Sequence, residues 1–402
     1  MNFVFFTTYN LLQLLLLALT GMATLYIFIF AVAGIFYKQK RTKVSSKRIR
    51  KIAVLIPGYK EDEVIIDVAR EALKQDYPTV LYDVIIIADS FKSETLSSLR
   101  QLPIKVIEVS FDKSTKSKAL NKAMDQLTDL YDIAVILDAD NVMAIDFLDK
   151  INSAFENNYL AVQGHRAAKN LNTELAVLDA VSEEINNHIF RKGHRVLGLS
   201  SAIIGSGMAF DYNHFKTIML SVTAIGGFDK EIELKMLKGG HKIEYLDNAY
   251  VYDEKVQKAD VFTNQRRRWL SAQIHYFKQD IGSAIIHLVT KGNVDYFDKA
   301  IQFIQPPRIL LLGAVSFLTI SFTITNTFIA GYNLLTISWI TVLIVCIISF
   351  LLSIPRQYYS KKTVKALIEL PKGMILMLGS LLRIKGANKQ FLHTKHGSSN
   401  IN

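Results

Sequence analysis

The stretch Ile133-Ala-Val135-Ile-Leu-Asp138-Ala-Asp140-Asn141 runs five apolar residues into two carboxylates and an amide. A short apolar run of this kind suits a strand buried on both faces of a parallel sheet. Its polar end then lies beyond the carboxyl end of the strand, where open α/β sheets bind their ligands. Ions such as Mg2+ or Mn2+ accept one or two carboxylate ligands and leave positions for the phosphates of a nucleotide. Asp138 and Asp140 are therefore the candidate metal ligands.

Outward from this stretch, short apolar runs alternate with polar helical ones, the pattern of βαβ units and a mainly parallel sheet. Strands are expected at 52–56, 83–88, 105–109 and 133–137, with helices at 63–74, 116–127 and 144–155. The first strand leads into Pro57-Gly-Tyr-Lys-Glu61-Asp62 and the second into Asp89-Ser90, so three polar strand ends converge on one crevice. An aromatic beside carboxylates suits stacking on a nucleobase and hydrogen bonding to its edge or ribose. No Gly-x-Gly-x-x-Gly follows the first strand and there is no Walker loop, which disfavours nicotinamide enzymes and P-loop ATPases. Without a glycine cradle a diphosphate needs a metal, which the Asp pair offers.

The 402 residues, 50% of them hydrophobic, allow one sizeable catalytic domain plus membrane segments. The single cysteine, Cys346, lies in an apolar run and excludes both a disulfide framework and a cysteine-based metal site. Segments 11–36, 309–330 and 334–354 are long and apolar enough to cross a bilayer, the last two joined by Gly331-Tyr-Asn333. No charge precedes Leu11, so the first reads as a retained anchor rather than a cleaved signal peptide. Lys38, Lys40, Arg41, Lys43, Lys47, Arg48, Arg50 and Lys51 follow it, and Arg308 and Arg356 flank the other two. The positive-inside rule then puts the N-terminus outside and the soluble region in the cytoplasm. Segment 364–384 is apolar but carries Glu369, Pro371, Lys372 and Arg383, as an interfacial amphipathic segment would. Much of the +11 net charge flanks membrane segments, so anionic lipid and substrate phosphates account for it without nucleic acid. The expected organisation is an anchor (1–37), a basic linker (38–50), a cytoplasmic catalytic domain (51–285), a connector (286–308), a transmembrane pair (309–354) and a tail (355–402).

The motifs Pro57-Gly-Tyr-Lys-Glu61, Asp89, Lys118-Ala-Leu-Asn121, Asp138-Ala-Asp140, Gly205-Ser-Gly207, Glu231-Ile-Glu233-Leu234 and Gln265-Arg-Arg-Arg268-Trp269 follow one another along the chain. In that order they resemble the membrane-embedded family 2 glycosyltransferases, which include cellulose, chitin, hyaluronan and poly-N-acetylglucosamine synthases and ceramide glucosyltransferases. The resemblance spans roughly 52–269. It implies an α/β GT-A nucleotide-diphospho-sugar transferase fold with about three transmembrane helices. It also implies an inverting, metal-dependent hexosyltransferase that moves a sugar from a UDP-linked donor to a lipid-linked or polysaccharide acceptor, at the cytoplasmic face of a bacterial cell membrane.

By the same resemblance Pro57, Tyr59, Glu61 and Asp89 hold the uridine, while Lys118 and Asn121 line the nucleotide side. Asp138 contacts the ribose or diphosphate, Asp140 the metal, and Gln265, Arg268 and Trp269 clamp the acceptor and diphosphate. The family's general base is the aspartate of a Thr-Glu-Asp motif, and the aligned segment here reads Asp229-Lys230-Glu231. That makes Glu231 the candidate base, with Glu233 second. Arg266 and Arg267 read as membrane-surface anchors, and His165 and Arg166, after a further strand, as candidates to face the donor sugar or to serve structure. Phe391-Leu-His-Thr-Lys395 resembles a family ending of Thr-Pro-Lys type without its proline. The alternative is a catalytically impaired scaffold that binds nucleotide sugars, which the altered base motif and Lys60, where relatives often carry Asn, would suit.

Overall fold

The computed structural model describes residues 3–39, 48–224, 226–329 and 334–384. Lys40, Arg41, Lys43 and Lys47 of the basic linker, the 331–333 turn and the 391–395 ending lie outside them. Eight strands form one sheet: β1 Ile52–Tyr59, β2 Tyr82–Asp89, β3 Lys105–Val109, β4 Ile133–Ile136, β5 Val142–Met143, β6 Ala161–Ala168, β7 Met208–Asp211 and β8 Ile243–Asp253. Their order is β3-β2-β1-β4-β7-β6-β8-β5. The β3-β2-β1-β4 half is parallel, as the apolar runs indicate. Beyond it β7 is antiparallel to both β4 and β6, β6 runs parallel to β8, and β5 closes the edge antiparallel to β8. The sheet is thus mixed rather than mainly parallel. The second half escaped the pattern because β6 carries Gln163, His165 and Arg166 and β8 carries Glu244 and Asp247, which interrupt its apolar character.

Alternation along the parallel strands sends Ala53, Leu55, Ile85 and Ile87 to one face and Ile52, Val54, Val84 and Ile86 to the other. The first face packs under helices Lys116–Gln126, Tyr212–Met219 and Phe228–Lys238, the second under Ile65–Ala72 and Phe147–Phe155. Covering both faces leaves the strand ends as the open edge.

Helices Phe3–Ile35, Arg308–Ile329 and Leu334–Ser353 contain three segments long and apolar enough to cross a membrane. The first has 33 residues, whereas about 20 cross a bilayer, and its surplus is built into the soluble region. Ile27, Phe30 and Ala31 pack with Ile185 and Ile189. A Cβ on Gly193 would lie 2.2 Å from the Phe30 carbonyl oxygen, so only glycine permits that approach. Within the bundle, Gln13 and Asn326 are fully buried and exchange side-chain hydrogen bonds of 3.1 and 3.2 Å, tying the first helix to the second.

Helix Ala259–Lys291 runs unbroken past residue 285, so the expected boundary there coincides with no break in structure. The Leu370–Leu382 helix has 13 residues and is too short to cross. Gly373, Met377 and Ser380 face inward, and Ser380 Oγ donates to the Thr263 carbonyl of the long helix at 3.2 Å.

Candidate active site

At the carboxyl ends of β1, β2 and β4 a cavity of about 440 Å³ opens between the sheet and the helices that follow it. Pro57, Tyr59 and Glu61 reach it from the end of β1, Asp89 from β2, and Asp138 and Asp140 from the loop after β4. The parallel register sets Tyr59 beside Asp89. Both turns are tight: Lys60 has φ 55° and Ser90 φ 60°, the left-handed region that asparagine and glycine tolerate better than lysine or serine.

The Asp138–Asn141 loop is shaped by Gly205-Ser-Gly207. Gly205 and Gly207 both have positive φ (79° and 62°), and the turn they form presents Ser206 to the loop. Ser206 Oγ accepts from the Asp138 N–H and from Asn141 Nδ2, each at 2.9 Å. Gln163 on β6 secures the glycine turn, donating to the Ser206 and Gly207 carbonyls at 3.0 and 3.1 Å.

Lys116 is the residue that sequence reasoning missed on this side. Thr115 caps the Lys116–Gln126 helix, its side chain accepting from Lys118 N, and the first helical residue is thereby aimed at the cavity. Lys116 Nζ lies 2.6 Å from Asp138 Oδ1 and donates to the Gly205 carbonyl at 2.7 Å. Lys118 and Asn121, expected here, are not among the lining residues. Lys118 is exposed and donates to the Lys113 carbonyl at 3.0 Å, and Asn121 Nδ2 donates to the Met219 carbonyl at 3.0 Å. Counting 100° per residue from the cap would have separated Lys116 from Lys118.

Helix rotation also decides the opposite wall. Asp229 and Glu233, one turn apart on Phe228–Lys238, both line the cavity. Glu231 does not: both its oxygens accept from the Thr223 N–H, at 3.3 and 3.2 Å, and Lys235 lies 3.2 Å away. The expected pair of Glu231 and Glu233 stands two residues apart, and such residues point to different sides of a helix. Gly227 starts this helix at φ 72°, and a Cβ there would lie 3.0 Å from that of Ala272, so glycine also admits the long helix alongside. Burial pushes the Glu233 carboxyl above its ordinary range although Lys299 Nζ sits 2.7 Å from it.

Gln265, Arg268 and Trp269 line the cavity from Ala259–Lys291, as expected. Gln265 Oε1 is buried with no hydrogen-bond partner among the described residues, an acceptor left for a ligand group to satisfy. Burial lowers the Arg268 guanidinium from its usual range. Arg266 turns away from the cavity into an ion pair with Asp179 and lies over Trp269, 4.3 Å from the ring centroid, holding that ring in place. Arg166 reaches the cavity and pairs with Asp253 at 2.7 Å, while His165 stays in β6, bonded to Asp247, Glu184 and Tyr245.

Among the described residues no three histidine, cysteine or acidic side chains are grouped as a protein-only ion site. Asp140, nearly buried, and Asp138 nevertheless supply the one or two carboxylates that Mg2+ or Mn2+ takes when nucleotide phosphates complete the shell. The two carboxylates therefore fit such an ion bound together with a diphosphate.

Residues 50–272 match the family described as Glycosyltransferase like family 2. The chain belongs to that family. The beta-monoglucosyldiacylglycerol synthase of Trichormus variabilis (strain ATCC 29413 / PCC 7937) is 25% identical over 232 residues, which are 54% of this chain and 48% of that protein. The chain thus spans about half the length of the curated relative it matches. The mannosyltransferase PcManGT of Pyrobaculum calidifontis, solved with GDP-Man and Mn2+, superposes with a TM-score of 0.50 at 16% identity, over 84% of this chain and 97% of that one. The shared fold is the GT-A type that the motifs implied.

Proposed function

We propose that this family 2 member transfers a sugar from a nucleoside-diphosphate donor, UDP-linked by first choice, to the hydroxyl of a lipid acceptor at the membrane surface, with inversion at the anomeric carbon. The observation that carries it is one cavity that joins a nucleotide end (Tyr59, Glu61, Asp89), an acidic loop (Asp138, Asp140), a helix-face carboxylate (Asp229, with Lys230 Nζ 3.6 Å away) and the Gln265–Arg268–Trp269 clamp.

Tyr59 and Asp89 are assigned to the base and ribose, and Lys116 with Arg268 to the diphosphate. Asp229, in place of Glu231, is the general base: it faces the cavity and takes the proton from the acceptor hydroxyl as that oxygen attacks the anomeric carbon. Asp140, with Asp138 beside it, would hold a Mg2+ or Mn2+ ion, which when bound supplies neutralisation of the leaving diphosphate. The GDP-Man and Mn2+ of the PcManGT structure support that donor and metal class. The Trichormus relative's name supports a glycolipid over a polysaccharide product. Arg50, Lys51, Arg308 and Arg356 near the spans support a catalytic domain on the cytoplasmic side.

The test is a screen of nucleotide sugars with total membrane lipid and Mn2+ or Mg2+, read by mass. A lipid heavier by one hexose, with release of nucleoside diphosphate, is expected. A polymer ladder would overturn the lipid acceptor, and release of no nucleoside diphosphate from any donor would overturn transfer itself.

A further inference from the structure

A chain of six polar side chains runs from the membrane anchor to the cavity wall. Tyr26, in Phe3–Ile35, donates to Asp298 Oδ1 at 2.7 Å, and His194 Nε2 lies 3.1 Å from the same hydroxyl and 3.2 Å from Asp298 Oδ2. His194 Nδ1 donates to the Ile189 carbonyl at 2.7 Å, and Phe30 of the anchor stacks on the imidazole with centroids 3.6 Å apart. On the Val294–Ile304 helix, Gln302 Nε2 donates to Asp298 Oδ2 at 2.8 Å, and Gln302 Oε1 accepts from Lys299 Nζ at 3.0 Å. Lys299 Nζ completes the chain at Glu233 Oε1, 2.7 Å away. His194 is fully buried, and the Lys299 and Glu233 side chains retain 7% and 2% of their exposure, while Tyr26, Asp298 and Gln302 are half-buried.

Buried charges this close to one another hold only while each keeps its partner, because an unpaired one keeps its full desolvation penalty. Glu233 has a particular need of its partner. It shares a helix face with Asp229, and a second carboxylate free to turn toward Asp229 would repel the base's negative charge. Lys299 pairs with Glu233 and offsets that negative charge, and Lys299 is itself held by Gln302 and, through it, by Asp298.

We propose that Tyr26, His194 and Asp298 are positioning residues for sugar transfer: they seat the Val294–Ile304 helix so that Lys299 stays paired with Glu233 and offsets its charge beside Asp229. The anchor helix is thus part of the active site's support as well as its membrane address. This rests on Asp229 as the base, and only the kinetic arm of the test depends on that reading.

The experiment uses the full chain in nanodiscs with Tyr26→Phe, Lys299→Met, the double variant and Lys299→Arg. Tyr26→Phe keeps the ring and removes the bonding hydroxyl. In the ligand-free protein, hydrogen–deuterium exchange over Phe228–Lys238 is expected to speed up about tenfold in each single variant. The double variant should be no faster than Lys299→Met alone, because both act through one chain. Lys299→Arg should restore the native rate. With the donor identified by the screen, Tyr26→Phe should lower kcat about tenfold and leave KM for the donor within about twofold. Unchanged exchange over Phe228–Lys238 in Tyr26→Phe, or effects that add in the double variant, would overturn the coupling. Coupled exchange with unchanged kcat would overturn its role in transfer. A wild-type chain that transfers no sugar refutes the proposed function, and the exchange measurement still decides the coupling.

Discussion

The two walls of the cavity are built differently. The wall proposed as the nucleotide wall consists of residues at the ends of β1, β2 and β4, each within a few positions of a largely apolar run, and parallel pairing brings them together. The opposite wall comes from three helices, Phe228–Lys238, Ala259–Lys291 and Val294–Ile304, whose rotation about their axes decides which side chain faces inward. A strand-end motif carries its position with it. A helix motif does not, since neighbours two residues apart diverge and the packed face is set by distant contacts.

The strongest way to break this contrast is on the helical wall. Asp229→Asn is expected to lower turnover on the order of a thousandfold while UDP binding persists. Glu231→Gln should keep near wild-type turnover, as its bonds to Thr223 and Lys235 serve the loop and not the cavity. The reverse ranking, measured by steady-state transfer, would return the base to Glu231.

On the nucleotide wall, Asp140→Asn should cost about a hundredfold in turnover and weaken Mn2+-dependent UDP binding, followed by calorimetry. Lys116→Met should weaken UDP binding about tenfold, whereas Lys118→Met should leave it unchanged. That pair tests whether the cap at Thr115, rather than the motif Lys118-Ala-Leu-Asn121, selects the functional lysine.

A smaller effect lies between the walls. Burial works against the Glu183 carboxylate, but Arg191, Lys255 and Arg166 outweigh it and hold its pKa at about 2. The stability it contributes is complete above the ordinary carboxylate pKa and is lost as pH falls from about 4.5 toward 2. Thermal unfolding of Glu183→Gln should therefore show a shallower decline across that window than the wild type. The smallest expected change is at Lys60. Asn there should stabilise by about 1 kcal/mol in denaturant titrations, by relieving the left-handed backbone at the nucleotide wall.

Much of the fold was legible in the residues, unevenly. The four parallel strands were placed within a few positions, because β1, β2 and β4 are buried along most of their length and are apolar there, and β3 keeps a short apolar core at the sheet edge. The three spanning helices were legible for a similar reason, since length and apolarity alone meet the bilayer's demand. β6 was expected only as a further strand before His165 and Arg166, without bounds, and β7 and β8 were not placed: Gln163, Arg166 and Asp253 break the apolar pattern of β6 and β8, and β7 has only four residues.

By itself the sequence determined the family, the carboxylates at the ends of β1, β2 and β4 and three helices long and apolar enough to cross a membrane, all carried by local runs whose physics depends on near neighbours. Only the tertiary structure decided that Asp229 rather than Glu231 meets the cavity, that Lys116 rather than Lys118 meets Asp138, and that Tyr26 is joined to Glu233. Those outcomes depend on helix rotation and on contacts between residues as far apart as 26 and 298, and such contacts exist only once the chain has packed.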